Sequence, residues 1–554
     1  MIPSPSPPTA HAVLRGMRGR LAVIATLSAL ANLLMLNGSL YMLQVYDRVM
    51  SSRSTATLVT LTALLLFLFA VQAGAEVLRQ RLLILSGREL SARLRAPAHA
   101  TTLRQAARGV APGHPVQDLE TLRGFVSGMG PGALLDLPWV PVFMALALLI
   151  HPAIGMAALA GGAMIAGITL LSARMGRGPA TEAARLQARA RFVLETERAQ
   201  AQNALAMGMG PALAARHDRT GCEASGAAAR SATLLGDFAA VSRILRLAIQ
   251  SLVLGLGAWL AIHGDLSPGA MIACSILVGR ALAPIDGAIA HWRPAVEARA
   301  AMARLDAALS QPVPDCLPLP LPKTSLVVEG LATSAGSGIG FALSAGDVLA
   351  VVGPSGTGKT TLLRALAGID APLSGTIRLD GVVRGQYAPE RLAQAVGYVA
   401  QTPGIFEGTV AENISRMALA PDARPVVDAA RQANAHEMIL SLPQGYDTPV
   451  GDATRPLSGG QKQRLALARA FYGTPFLILL DEANANLDAQ GDAAFARAVQ
   501  VASARGAIVV MVTHRMATLS LASHVLVLDQ GGQRNFGPRA EVLRPAAEPL
   551  RASA

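Results

Sequence analysis

Lysine, cysteine, aromatic rings and charge are all scarce in this chain, and each shortage excludes something. Its 554 residues include only three lysines (Lys323, Lys359, Lys462) and three cysteines (Cys222, Cys274, Cys316). The cysteines are far apart and lack metal-ligand spacing, so neither a disulfide framework nor a cysteine metal site is expected, and all three are read as reduced and structural. Aromatics make up 4% of the chain, with no basic stripe interleaved with rings, so the net charge of +12 does not imply nucleic acid as a partner. Charged residues are 15% and hydrophobic ones 52%, a balance that excludes an ordinary soluble enzyme and calls for a membrane portion.

Long uncharged runs supply that portion. Segments 21–43 and 56–75 carry no charge, and each is long enough for the roughly 20 residues of a bilayer-spanning helix. The uncharged run 137–173 is too long for one helix, and His151-Pro152 breaks it into spans 137–150 and 154–172. Spans 244–262 and 268–290, joined by the short turn 263–266, complete six. Arg15, Arg18 and Arg20 precede the first span, Arg79 to Arg95 follow the second and Arg174 to Arg189 follow the fourth, whereas the opposite loops hold only Arg48 and Arg53. By the positive-inside rule both termini face the cytoplasm. The Ala/Arg/Leu-rich stretches 76–136 and 173–243 are too long for turns and read as helices continuing into the cytoplasm. The first 20 residues form a short cytoplasmic N-terminus without a convincing cleavage site, 21–310 a transmembrane domain, and the Pro-rich linker 311–323 leads into an α/β domain over 324–554.

That second domain contains GPSGTGKTT, comprising Gly353, Pro354, Ser355, Gly356, Thr357, Gly358, Lys359, Thr360 and Thr361. Its glycines allow a tight turn that aims backbone N–H groups at phosphate oxygens, with Lys359 reaching the β/γ-phosphates and Thr360 reaching Mg²⁺. A strand-like run precedes the loop and a helical one follows, which directs a helix N-terminus at the nucleotide. Phe476 to Glu482 reads as a buried strand ending in two carboxylates, suited to an Asp481 that holds Mg²⁺ and a Glu482 that orients or deprotonates water. LSGGQ, with Ser458, Gly459, Gly460 and Gln461, opens a helix, while Gln401 and His514 follow strand-like runs.

Together these segments resemble the nucleotide-binding domain of ATP-binding cassette transporters, and nearly the whole chain resembles an exporter of that family. The resemblance implies ATP and Mg²⁺ as cofactors and an obligatory dimer. In it Ser458, Gly459, Gly460 and Gln461 of one subunit cap ATP held by the other, Asp488 lies in the D-loop at the shared site, Gln401 contacts Mg²⁺ and His514 the γ-phosphate. YMLQVYDRV, DLPWVPVF, ILVGRALAPIDGAI and LPQGYDTPVGD are similar to the permease/ATPase of type I secretion systems, in the subgroup without an N-terminal peptidase domain. That similarity implies a half-transporter in the bacterial inner membrane, among its lipids, acting as a homodimer. It would export an unfolded polypeptide with a C-terminal signal through a periplasmic adaptor and an outer-membrane channel. An exporter of lipids or small molecules is the alternative, and a non-pumping regulatory ATPase is disfavoured by the intact Lys359, Asp481, Glu482 and His514.

Some residues depart from the family pattern. Asp452 stands where Glu is usual and Ala483 where Pro is usual. No ring occurs in Leu331–Gly340, where the family stacks adenine, which leaves Tyr387 or an aliphatic such as Leu331 or Ile339 to take that part. Arg280, roughly 18 Å into the sixth span, and Asp286 either line a polar path or are satisfied within the bundle and at the headgroups. Segments 118–125 and 205–210 are either coupling helices that dock on the nucleotide domain or ordinary loop tips.

Overall fold

Uninterrupted helical, apolar sequence builds rods much longer than a bilayer is thick. The computed structural model describes residues 8–107, 114–310, 319–451, 454–485, 487–529 and 531–543. Cys316, Asp452, Asn486 and most of the Pro-rich linker lie outside the described residues. Packing divides the chain into two compact units, one made of 5–103 and 112–311 and the other mainly of the residues after 311, with the short segments 1–4 and 104–111 grouped with the latter.

In the first unit α1 (Ala10–Gly16) is followed by α2 (Arg18–Leu34), α3 (Asn37–Gln44), a π-helical turn Val45–Val49 and α4 (Met50–Ser52). Then come α5 (Thr55–Ala107), α6 (Pro115–Ser127), α7 (Gly130–Asp136), α8 (Trp139–Ile150), α9 (Pro152–Ala199), α10 (Ala201–Ala206), α11 (Gly210–Ile262) and α12 (Pro268–Leu309). Six segments among the described residues are long and apolar enough to cross a membrane. The 53 residues of α5 measure roughly 80 Å, against about 30 Å of hydrocarbon. Its Leu64, Leu66 and Phe67 are exposed, as a lipid-facing helix requires. The break at His151 is as expected: His151 is extended, its ring accepts from the Ala153 amide, and Pro152 occupies the first helical position, where a missing N–H costs nothing. Helices approach closely where glycine replaces a side chain. A Cβ on Gly161 would lie 2.8 Å from Ile249 of α11.

Polar pairs fasten the bundle at both ends. Asp136 accepts from Asn32 at 2.6 Å and from Arg79 at 3.2 Å, and Arg79 also donates to Ser28 and pairs with Glu76. Arg79, read from sequence as one of the loop cations, is thus a buried tie between α2, α5 and α7. At the other end Asp47, in the π-helical turn, accepts from the Ser267 hydroxyl at 2.6 Å and the Gly269 amide at 2.8 Å. It supplements the N-cap Ser267 of α12, and a Cβ at Gly269 would strike its carboxylate at 2.5 Å. Losing an N-cap acceptor costs roughly 1 kcal/mol, so Asp47→Ala should lower the melting midpoint of the detergent-purified protein by about 1–2 °C. An unchanged midpoint, read beside Asp47→Asn, would remove the cap from the account.

Asp286 is half-buried and paired. It accepts from Arg246 of α11 at 2.6 Å and from Ser242 at 2.9 Å, so its carboxylate is satisfied within the bundle. Arg280 is exposed, and among the described residues it has no ion-pair partner. The segment 118–125 lies within α6, where buried Asp118 is paired with Arg304 of α12. The segment 205–210 forms the tip between α10 and α11, with Leu205 and Met207 exposed.

The second unit has β1 (Ser325–Thr333), β2 (Gly336–Ser344), β3 (Val348–Val352), β4 (Ser374–Leu379), β5 (Val382–Val383) and β6 (Val396–Val399). It continues with β7 (Gly408–Thr409), β8 (Pro449–Val450), β9 (Leu477–Asp481), β10 (Ile508–Val512), β11 (His524–Asp529) and β12 (Gly532–Pro538). Ten strands form one sheet in the order β5-β4-β1-β2-β12-β11-β3-β10-β9-β6. Strands β11, β3, β10, β9 and β6 pair in parallel. Almost every side chain of β3, β9 and β10 is buried, which is why these strands read as continuous apolar runs rather than alternating ones. The order β3-β10-β9-β6 sets four strand ends side by side, and the candidate residues follow those ends.

Candidate functional site

Polar groups at the carboxyl ends of adjacent parallel strands converge, because helices cover both faces of the sheet and only the strand ends are open. The loop 353–358 leaves β3 and enters the helix Lys359–Ala367. Gly356 and Gly358 adopt φ of 83° and 90°, which admits no ordinary side chain. Lys359 is buried, and its Nζ donates to the carbonyl oxygens of Gly353 and Pro354, both at 2.8 Å, holding the loop closed on itself. Burial lowers its pKa, opposed by the negative charges of Glu482 and Asp481.

Asp481 ends β9 at 1% exposure, and burial raises its carboxyl pKa against the pull of a hydrogen bond from Thr360. Its second oxygen, Oδ2, is buried without a partner. An orphaned carboxylate oxygen beside a hydroxyl is a donor set that suits a hard divalent cation, so the residues present fit Mg²⁺.

Glu482, one residue on, has φ +48°, a left-handed conformation that costs a non-glycine residue roughly 1–3 kcal/mol. The turn aims its carboxylate between two strand ends. Gln401, after β6, donates to Oε2 at 3.2 Å, and His514 Nε2, after β10, lies 3.5 Å from Oε1. The structure therefore brings Gln401, Glu482 and His514 together beside Asp481 and Lys359.

Ser458, Gly459, Gly460 and Gln461 are placed elsewhere in the unit. The Ser458 hydroxyl accepts from the Gln461 amide, and the Gln461 side chain accepts from the Ser458 amide, a capping box at the start of the helix Gly459–Phe471. Among the described residues no hydrogen bond joins these four to the phosphate loop. Asp488 caps the helix Ala489–Ala504 through the Gly491 amide and pairs with Arg464 at 3.2 Å, so within one chain its contacts are structural.

Sequence reasoning missed Gln463, fully buried, which donates to the Ala483 carbonyl and so ties the helix after LSGGQ to the turn carrying Glu482. A glutamine inside an otherwise apolar buried face was the available signal. It also missed Ala335, at the β1–β2 tip, against which a Cβ on Gly358 would close to 3.1 Å. That tip, Ser334-Ala335, carries no ring. Tyr387 is in the hydrophobic core with its hydroxyl donating to the Leu379 carbonyl, and Leu331 and Ile339 are buried in the same core. None of the three substitutes proposed for the missing ring is free to stack on a base. Stacking contributes roughly 1–3 kcal/mol per base, so kcat/KM for ATP should exceed that for GTP by less than about tenfold, equivalent to roughly 1.4 kcal/mol. Steady-state hydrolysis of each nucleotide checks this, and a preference above about a hundredfold would reveal a base-reading contact.

Residues 337–485 match the family model described as ABC transporter. The chain is 40% identical over 556 residues to the type I secretion system ATP-binding protein PrsD of Rhizobium meliloti, an alignment that covers 97% of this chain and 94% of that protein. It is 33% identical to the mycobactin import ATP-binding/permease protein IrtB of Mycolicibacterium thermoresistibile, over 74% of this chain and 72% of that one. The toxin RTX-I translocation ATP-binding protein of Actinobacillus pleuropneumoniae is 28% identical over 77% of this chain and 62% of its own length. A solved structure of a bacterial Atm1-family ABC exporter with ATP bound shares the fold, with a TM-score of 0.80, 21% identity and coverage of 95% of this chain and 96% of that one.

Proposed function

The chain belongs to the ABC transporter family, as an exporter whose ATPase is coupled to transport, and from that premise we propose that two copies form a type I secretion exporter for a polypeptide. The observation that carries this reading is the 40% identity to a type I secretion protein along almost the full length of both chains, membrane helices included. The setting is the inner membrane with both termini cytoplasmic, which the distribution of arginines supports. A periplasmic adaptor and an outer-membrane channel complete the path for a substrate carrying a C-terminal signal.

Chemically, Lys359 leaves the Gly353 and Pro354 carbonyls for the β/γ-phosphates of ATP, and the backbone amides of 353–358 bind their oxygens. Thr360, Asp481 and Gln401 would hold Mg²⁺, which supplies charge neutralisation on the phosphates. Glu482 orients the attacking water and takes its proton at a carboxylate oxygen, while Gln401 and His514 fix that carboxylate from either side. Ser458 and Gly459 are exposed and Gly460 is half-buried at a helix N-terminus, a form suited to capping the γ-phosphate held by a second copy.

The likeness to IrtB, by name a mycobactin import protein, favours small-molecule transport as the second reading, beside the alternative of a lipid or small-molecule exporter. Comparing culture medium and cell contents of bacteria carrying the parent chain or Glu482→Gln separates the two. A polypeptide that vanishes from the medium and is retained in cells supports protein secretion. An unchanged set of secreted proteins with altered lipid or small-molecule content overturns it.

A further inference from the structure

A cleft of about 650 Å³ lies in the nucleotide unit, between the helix Ala423–Gln432, the turn at Gly473-Thr474 and the helix Ala489–Ala504. It includes no residue of the phosphate loop or of the Gln401–Glu482–His514 cluster. Its size is that of a small-molecule site. Arg424, Arg431, Arg497 and Arg505 line it against a single acid, Asp428.

All four arginines are exposed to solvent. Elsewhere in the chain Arg123, Arg185 and Arg293 each pair with a carboxylate three or four residues away on their own helix. Arg424 and Arg431 stand four and three residues from Asp428, yet neither pairs with it, and Arg497 has no ion pair among the described residues either. Arg505 is held by the side-chain oxygen of Gln432 at 3.2 Å, and Gln432 donates to the Ala498 carbonyl, so one cationic wall is fixed in place. The floor is apolar, with buried Phe471 and Ala498, and Val501 stands exposed at the rim. Three uncommitted guanidinium forks around an apolar floor match a ligand with several phosphate oxygens, each fork able to bind two, joined to a ring or chain.

We propose that this cleft is a second anion site, for a multiply charged phosphate compound, distinct from the site of hydrolysis. Phosphate could arrive as a nucleotide or as free polyphosphate, and the test separates these sources. The full-length protein is trapped with ADP and orthovanadate so that the phosphate loop is filled, then desalted and titrated calorimetrically at low ionic strength with ADP or with tripolyphosphate. One equivalent per chain is expected to bind. ADP binding more tightly assigns a nucleotide, and tripolyphosphate binding at least as tightly assigns free polyphosphate. The double variant Arg431→Gln/Arg497→Gln should still trap ADP with vanadate, which reports its fold, while losing at least about tenfold in affinity for the second anion. Absence of saturable binding by either probe overturns the proposal, as does equal affinity in the double variant. Tighter binding of a polyglutamate peptide also overturns it, in favour of an acidic protein partner.

Discussion

Glu482→Gln should bind ATP with near-parental affinity and hydrolyse it roughly 10²–10⁴-fold more slowly, the usual cost of losing a general base. Lys359, Thr360 and the amides of the phosphate loop are untouched by the change, so the ground-state contacts stay. The glutamine keeps the size of the side chain and accepts from Gln401 as before, but an amide does not take a proton from water. The backbone at position 482 stays left-handed in either form, so the fold is a constant in the comparison. Chains should accumulate as an ATP-filled dimer, visible by size-exclusion chromatography in detergent. Turnover within about threefold of the parent would show that another group activates the water.

The second large effect concerns the shared site. Lys359→Ala removes the phosphate cation and Ser458→Arg fills the N-terminus of the capping helix, so each homodimer should lose at least about a hundredfold in hydrolysis. Co-expressed chains form heterodimers in which one composite site carries both changes and the other carries neither. Those heterodimers should recover a measurable share of parental turnover. Activity in a demonstrably monomeric preparation, or no recovery in purified heterodimers, would sink the proposal that one copy completes the other.

What was legible in the sequence is what depends on neighbours along the chain. An uncharged run of span length or the order G-x-x-x-x-G-K-T is a local pattern, and the apolar helices and the phosphate loop follow from it. Contacts between distant segments left weaker traces. Nothing near Asp47 indicates that it serves the helix capped by Ser267, 220 residues later, and Asp286 meets Arg246 across 40 residues. Arg79 was counted as a loop cation because charge placement reports topology, not burial. Tyr387 is polar enough to stand at a surface, and only the packed core shows that its ring is occupied. Asp488 carries a local cap besides the D-loop role that the family resemblance implies for it, and a motif cannot say which contacts a lone chain satisfies by itself.

The left-handed turn at Glu482 sets stability and activity against each other at one position. Glycine, or to a smaller degree asparagine, would sit there with less of the steric penalty that a glutamate bears, and neither of these can take a proton. Any selection of this exporter for heat resistance alone would therefore tend to erode the very residue proposed to activate water. Stabilised variants obtained without a transport requirement should be screened at position 482 first.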